Sequence, residues 1–198
     1  KKADSIAHFS QFQESPASGL KSFYELRISV VMSLYVLVEI MIGTRLALFM
    51  RRYFEYDLQN SSMYVTLFFA CLLVGRLVVS YSTFSLSTRR LLMVSLIGSC
   101  VLILFGLFIH PWGLVLSGLT LGPFYPQGMA YISLLFPAKS TTIVSWTLAV
   151  QSILIVFMHW GIGKLTDLME LKMALLLAPL LLILGLVLLF FIREEDLA

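Results

Sequence analysis

The sequence predicts an all-α integral membrane protein of six transmembrane helices. Two observations predict it. Of the 198 residues, 59% are hydrophobic and only 13% charged, whereas soluble domains run at roughly 45–50% apolar and about 25% charged. The apolar residues are also gathered into six runs of about 18–25 residues, the length at which a helix crosses a hydrocarbon layer of ~30 Å. Membrane strands need only about ten residues with strict alternation, and no alternation is present.

Taken in order, residues 1–25 read as a polar cytoplasmic linker, rich in Ser and Gln and containing Pro16 and Gly19. No signal peptide is visible ahead of the first apolar run, and the chain is expected to be part of something longer. The six-helix bundle is expected over 26–192, and 193–198 form a short cytoplasmic tail. The runs are 26–50, 63–80, 91–109, 112–135, 142–163 and 173–192. Each break between them has a physical cause. Arg51 and Arg52 with Glu55 and Asp57 end the first run, and Ser87-Thr88-Arg89-Arg90 separates the second from the third. His110-Pro111 makes a short turn, and Phe136-Pro137-Ala138-Lys139 ends the fourth. Lys164, Asp167, Glu170 and Lys172 bracket the last gap.

Six crossings place both termini on one side of the membrane. That side carries Lys1, Lys2, Lys21, Arg27, Arg89, Arg90, Lys139 and Arg193; the other carries Arg51, Arg52, Lys164 and Lys172. Excess positive charge stays in the cytoplasm, so both termini are expected there. The net charge of +3 is too small and too dispersed to recruit nucleic acid. Cys71 and Cys100 lie inside apolar runs and read as small buried hydrophobes. No metal-ligand spacing and no cofactor motif is present.

The distribution of costly residues is the informative pattern. The third and sixth runs carry no charge. The first has Glu39 and Arg45, the second Arg76, the fourth Tyr125, Gln127 and Tyr131, and the fifth Gln151 and His159. The order polar, polar, clean occurs twice, which predicts a 3+3 inverted repeat whose first helices line a cavity and whose third helices face lipid. Glu39, the stretch from Pro123 to Gln127, and Gln151 fall near the middle of their spans, the depth at which such proteins bind substrate. An ionisable group there costs at least ~2.5–3.5 kcal/mol to insert, so it should face the bundle interior or water.

Tyr35, Glu39 and Gly43 are four apart and share a helix face, as do Gln127 and Tyr131. The candidate substrate-binding residues are therefore Glu39, Tyr35, Tyr125, Gln127, Tyr131 and Gln151, with Glu39 also the candidate proton carrier. Each has a plainer reading: Glu39 as a protonated link between helices, the glutamines as interhelical glue, the tyrosines as packing. Pro123 and Pro126 each remove a backbone donor and should bend the fourth helix into a hinge. Arg45 and Arg76 are expected to snorkel toward opposite surfaces. His159 reads as structural, and Trp112 and Trp160 as interfacial anchors.

Four local patterns carry a family resemblance. The run Tyr35-Val36-Leu37-Val38-Glu39-Ile40-Met41-Ile42-Gly43 resembles the seventh helix of fucose–proton symporter-like members of the major facilitator superfamily. Gly75-Arg76 with Arg89-Arg90 resembles the cytoplasmic motif between their eighth and ninth helices. Leu121-Gly122-Pro123-Phe124-Tyr125-Pro126 is similar to the Gly/Pro-rich tenth, and Gly161-Ile162-Gly163-Lys164-Leu165-Thr166-Asp167 to the ending of the eleventh. The resemblance implies the C-terminal half of a twelve-helix transporter in a bacterial inner membrane, with an absent N-terminal six-helix half as partner. It also implies a small-molecule substrate such as a sugar or metabolite, and coupling to protons.

The expected function is alternating-access transport. The competing reading is a six-helix structural or interaction subunit, which predicts that Glu39 is paired within the chain and lines no cavity. An intramembrane enzyme is not expected: one central carboxylate and one peripheral histidine supply neither a nucleophile–base pair nor a metal set.

Overall fold

A computed structural model describes residues 23–81 and 87–192. The linker over 1–22, the tail over 193–198, and with them Lys1, Lys2, Lys21 and Arg193, lie outside the described residues. Everything described is helix, turn or short connection; no strand occurs among the described residues. The helices are α1 (Phe23–Phe54), α2 (Leu58–Tyr81), α3 (Thr88–Phe108), α4 (Trp112–Leu121), α5 (Phe124–Leu135), α6 (Ser140–Leu168), α7 (Leu171–Ala174) and α8 (Leu177–Phe190). Five spans are long and apolar enough to cross a membrane: α1, α2, α3, α6, and α7 with α8 taken together. The fourth apolar run is divided between α4 and α5.

Several boundaries differ from the sequence reading, among them the end of α6, which runs through Lys164 and Asp167 to Leu168. α1 starts at Phe23 and continues through Arg51 and Arg52 to Phe54, because arginine is a good helix former and two positive charges suit a helix C-terminus. Phe23, Tyr24 and Glu25, assigned to the linker, are its first turn. α2 starts at Leu58, where the Asp57 side chain accepts from the Asn60 N–H at 3.0 Å and caps the free donors of the first turn.

α1 is the centre of the bundle. It packs against α2, α4, α5, α6 and α8, and 72% of its most apolar stretch is buried, against 17% for α6. That corrects the expectation that the first helix lines an open surface: it is enclosed, and α2 and α6 are the helices with the most outward face. α3, charged only at Arg89 and Arg90 in its first turn, and the uncharged α8 pack on each other and turn Val94, Ile97, Val101, Ile183, Leu184 and Val187 outward.

Close approach of α2 and α4 rests on glycine. A methyl group on Gly118 would fall on the Phe68 carbonyl oxygen, and one on Gly122 on that of Leu72. This Gly-x-x-x-Gly spacing lets two backbones touch where lipid offers no hydrophobic drive to association. Hydroxyls tie α3 to α4: Ser95 donates to the Thr120 carbonyl, and the Ser99 and Thr120 hydroxyls lie 2.9 Å apart.

Contacts between connections define two ends. At one, the Tyr53 hydroxyl takes the Lys172 N–H at 3.2 Å and lies 3.4 Å from the Glu170 carboxylate, while Lys172 sits over the Phe108 ring at 4.8 Å. At the other, Glu25 meets Lys139 at 3.1 Å. There Arg27 and Arg89 also donate to the carbonyls of Phe191 and Phe190 at 2.8 and 2.7 Å, satisfying the C-terminus of α8 with positive charge.

Candidate functional site

Glu39 sits at the midpoint of α1. One turn earlier on the same face, Tyr35 donates its hydroxyl to the Glu39 carboxylate. From α2, Arg76 Nη2 donates to both carboxylate oxygens, at 3.0 and 3.3 Å. Arg76 therefore does not snorkel to the surface; it reaches back to the one acidic group at mid-helix. The reason is the relative cost: a carboxylate in a low-dielectric interior without a partner is far more expensive than an arginine folded inward. The Glu39 side chain is 15% exposed and that of Arg76 39%, so the pair is open on the arginine side. Arg76 Nε is enclosed and has no acceptor.

The surroundings hold this cluster still. The Tyr35 ring is fully buried and stacks on Phe124, the first residue of α5, with centroids 4.5 Å apart. Gly43, next on the same face of α1, admits the Phe68 and Phe69 rings of α2. The backbone break in the fourth run lies alongside. Pro123 has no N–H to give the Leu119 carbonyl, and Gly75, the neighbour of Arg76, lies against that freed oxygen. Gly122 and Pro123 keep right-handed helical dihedrals, so the chain passes from α4 to α5 without an unwound loop. Pro126 falls inside α5 and leaves the Gly122 carbonyl without its helical donor in the same way.

Of the sequence-predicted residues, the structure brings together Tyr35 and Glu39. Tyr125 and Gln127 lie half-buried on α5, and Tyr131 is fully buried where α5 faces the interior. Gln151 is half-buried on α6, with its side-chain oxygen enclosed and without a hydrogen-bond donor. Tyr125, Gln127 and Gln151 form no side-chain hydrogen bond with the cluster among the described residues. Arg45 makes no ion pair there either, in keeping with its place six residues from Glu39.

Two participants escaped the sequence reading. Arg76 was visible as a costly residue, but its partner was not. Glu25 was placed in the linker, yet it is 3% exposed and joins Lys139 ahead of α6. One turn on, Ser29 and Thr147 hydrogen-bond at 2.8 Å between α1 and α6. A helical reading of 22–26 would have put Glu25 on the inward stripe with Ser29 and Met32.

No protein-family model matches this chain, and no curated protein matches it.

Proposed function

We propose that the chain is the second half of a secondary active transporter of the major facilitator type, moving a small solute by alternating access. The observation that carries this reading is the Tyr35–Glu39–Arg76 cluster. A charged pair placed at mid-helix between two packed helices is expensive, and intramembrane ionisable groups of this kind mark solute and proton pathways. Its neighbour is a helical run interrupted at Pro123 and Pro126, the kind of element that can gate a site.

The packing of the helices supports the inverted 3+3 architecture. Number the six runs in order and exchange first with fourth, second with fifth, third with sixth. The first-with-fifth contact then becomes fourth-with-second, and first-with-sixth becomes fourth-with-third. Third-with-sixth maps onto itself. All of these pairs occur. In this reading a second six-helix half covers the faces of α2 and α6, the solute is a sugar or other metabolite, and a proton travels with it. The membrane is a bacterial inner membrane with both termini in the cytoplasm. Among the described residues the basic side chains divide evenly between the two ends, so this orientation leans on Lys1, Lys2, Lys21 and Arg193.

One observation favours the second reading, a six-helix structural or interaction subunit: Glu39 is paired within the chain. The two readings separate by accessibility. In a full-length protein without Cys71 and Cys100, single cysteines at positions 127 and 151 are exposed to a membrane-impermeant maleimide from each side in turn. Transport predicts reaction from both sides. Reaction from neither side, or from one side only under every condition, selects the subunit reading.

A further inference from the structure

Resting on the transport reading, we infer that the cluster takes a small monocarboxylate anion together with one proton, with Arg76 as the anion-binding residue and Glu39 as the proton acceptor.

Charge balance selects the solute. The Glu39–Arg76 pair is neutral as a unit. A neutral polyol offers hydroxyl oxygens to Arg76 but no charge to replace the carboxylate, so it leaves the pair closed. An anion alone would put two negative groups on one guanidinium, a net charge that a low-dielectric site opposes strongly. One proton on Glu39 and one monoanion on Arg76 keep the sum at zero before and after binding. A dianion with one proton would not.

The geometry matches that exchange. Arg76 uses one of its three nitrogens on Glu39, and its enclosed Nε–H has no acceptor. Nε is enclosed by the protein, so a solute meets the guanidinium at its Nη1–Nη2 end, where a carboxylate takes both nitrogens in the planar two-bond pairing once Nη2 has left Glu39. The open side of the pair is the arginine side, where a solute arrives. The bookkeeping of bonds is simple. A proton released by the buffer acid in the bulk solution goes to a Glu39 carboxylate oxygen, the Glu39–Arg76 ion pair opens, and the Arg76–substrate pair forms. Protonated Glu39 then has an O–H of its own to donate to the bound anion, while the Tyr35 hydroxyl still holds its other oxygen.

No other charged group contacts the carboxylate among the described residues. Of the helices packed on α1, α4 and α8 contain no titratable residue, and α5 contributes only Tyr125 and Tyr131. On α2 the others are Tyr64, Cys71 and Tyr81. On α6, His159, Lys164 and Asp167 all lie in the last third. The proton therefore goes to Glu39.

Isothermal titration of the purified full-length protein tests this with acetate, pyruvate and lactate as anionic probes and glucose and fucose as neutral ones, in two buffers of different ionisation enthalpy. Saturable binding of at least one monocarboxylate is expected, with one proton taken up per anion. Glu39→Gln should bind the same anion with no proton uptake and an affinity independent of pH. Arg76→Gln should bind about 30-fold more weakly or worse. The double variant Glu39→Gln/Arg76→Gln has no lone buried charge, so it keeps the fold and should also fail to bind. Binding of none of the three anions, anion binding without proton uptake in the unaltered protein, or undiminished binding by Arg76→Gln overturns the inference. Sugar binding with two-sided access at positions 127 and 151 would leave transport standing and remove only the anion. Loss of two-sided access removes transport and leaves anion–proton binding to stand on its titration.

Discussion

A guanidinium and a carboxylate in an apolar layer depend on each other. Removing Arg76 leaves Glu39 charged without a partner, or protonated at a cost; removing both leaves two neutral amides. Breaking one side of a fully buried pair costs roughly 3–5 kcal/mol, and the partial exposure of Arg76 reduces this to about 2 kcal/mol. Arg76→Gln should therefore unfold earlier in detergent than the unaltered chain, and the double variant Glu39→Gln/Arg76→Gln should recover most of the loss. Thermal unfolding of the unaltered chain, Arg76→Gln, Glu39→Gln and the double variant checks it. Equal melting of Arg76→Gln and the double variant would mean that the unpartnered Glu39 carboxylate is not the source of the loss. The pairing was not legible in the sequence for a definite reason. Thirty-seven residues separate the two partners, and which face of α2 meets Glu39 depends on the helix register fixed by Gly43, Phe68 and Phe69. The cost of Glu39 could be read from its place at mid-run; the residue that offsets it could not.

At the scale of elements, glycine position decides what each helix tolerates. Gly118→Ala and Gly122→Ala place a methyl group on a carbonyl of α2, and the two helices must move apart. Each should cost about 1–3 kcal/mol. Gly161 and Gly163 on α6 have nothing near the position a methyl would occupy. Alanine there should be neutral or stabilise by about 0.4–1 kcal/mol through the unfolded chain. Ranking the four variants by melting temperature tests whether α2 and α4 are held by backbone contact. The proline break between α4 and α5 makes a kinetic prediction. Pro123→Ala with Pro126→Ala restores two backbone donors and should straighten the run. If the chain is half of a transporter, turnover of the whole should fall more than binding. Unchanged transport with a straightened helix would deny the prolines a hinge role. The existence of the apolar runs was fully legible, since length and composition suffice for it. The division of the fourth run at Gly122 and Pro123 was half-legible: the prolines announced a bend, but not that Gly75 would lie against the carbonyl they free.

For the whole molecule, the outward faces of α2 and α6 are the consequential surface. They carry Leu73, Val74, Leu77, Ile153, Val156 and Phe157 beside the partly exposed Arg76. If a second six-helix half completes the transporter across these faces, this chain alone has one wall of a pathway. Reconstituted by itself as a monomer, it should show no saturable uptake into proteoliposomes, and robust saturable uptake by such monomers would refute the half-transporter reading. The doubling of the polar, polar, clean order was legible in the sequence. The central position of α1 was not, because its polar residues suggested a lining helix. Burial of Tyr35, Ser29 and Ser33 shows what they do instead: Ser29 and Ser33 each bond the carbonyl four residues back, so their hydroxyls enter the core satisfied.

The Glu39–Arg76 contact also bears on how the chain is made. During synthesis α1 leaves the ribosome before α2, with a carboxyl at its midpoint and the arginine that neutralises it not yet available. Arg76 emerges late in α2, and only then can the pair close. The insertion machinery should therefore release α1 and α2 into lipid together, as a hairpin, rather than one after the other. A nascent chain arrested before Arg76 has cleared the ribosomal tunnel should remain crosslinkable to the translocon through α1. One arrested beyond α3 should be released, and Glu39→Gln should allow release of α1 at the shorter length.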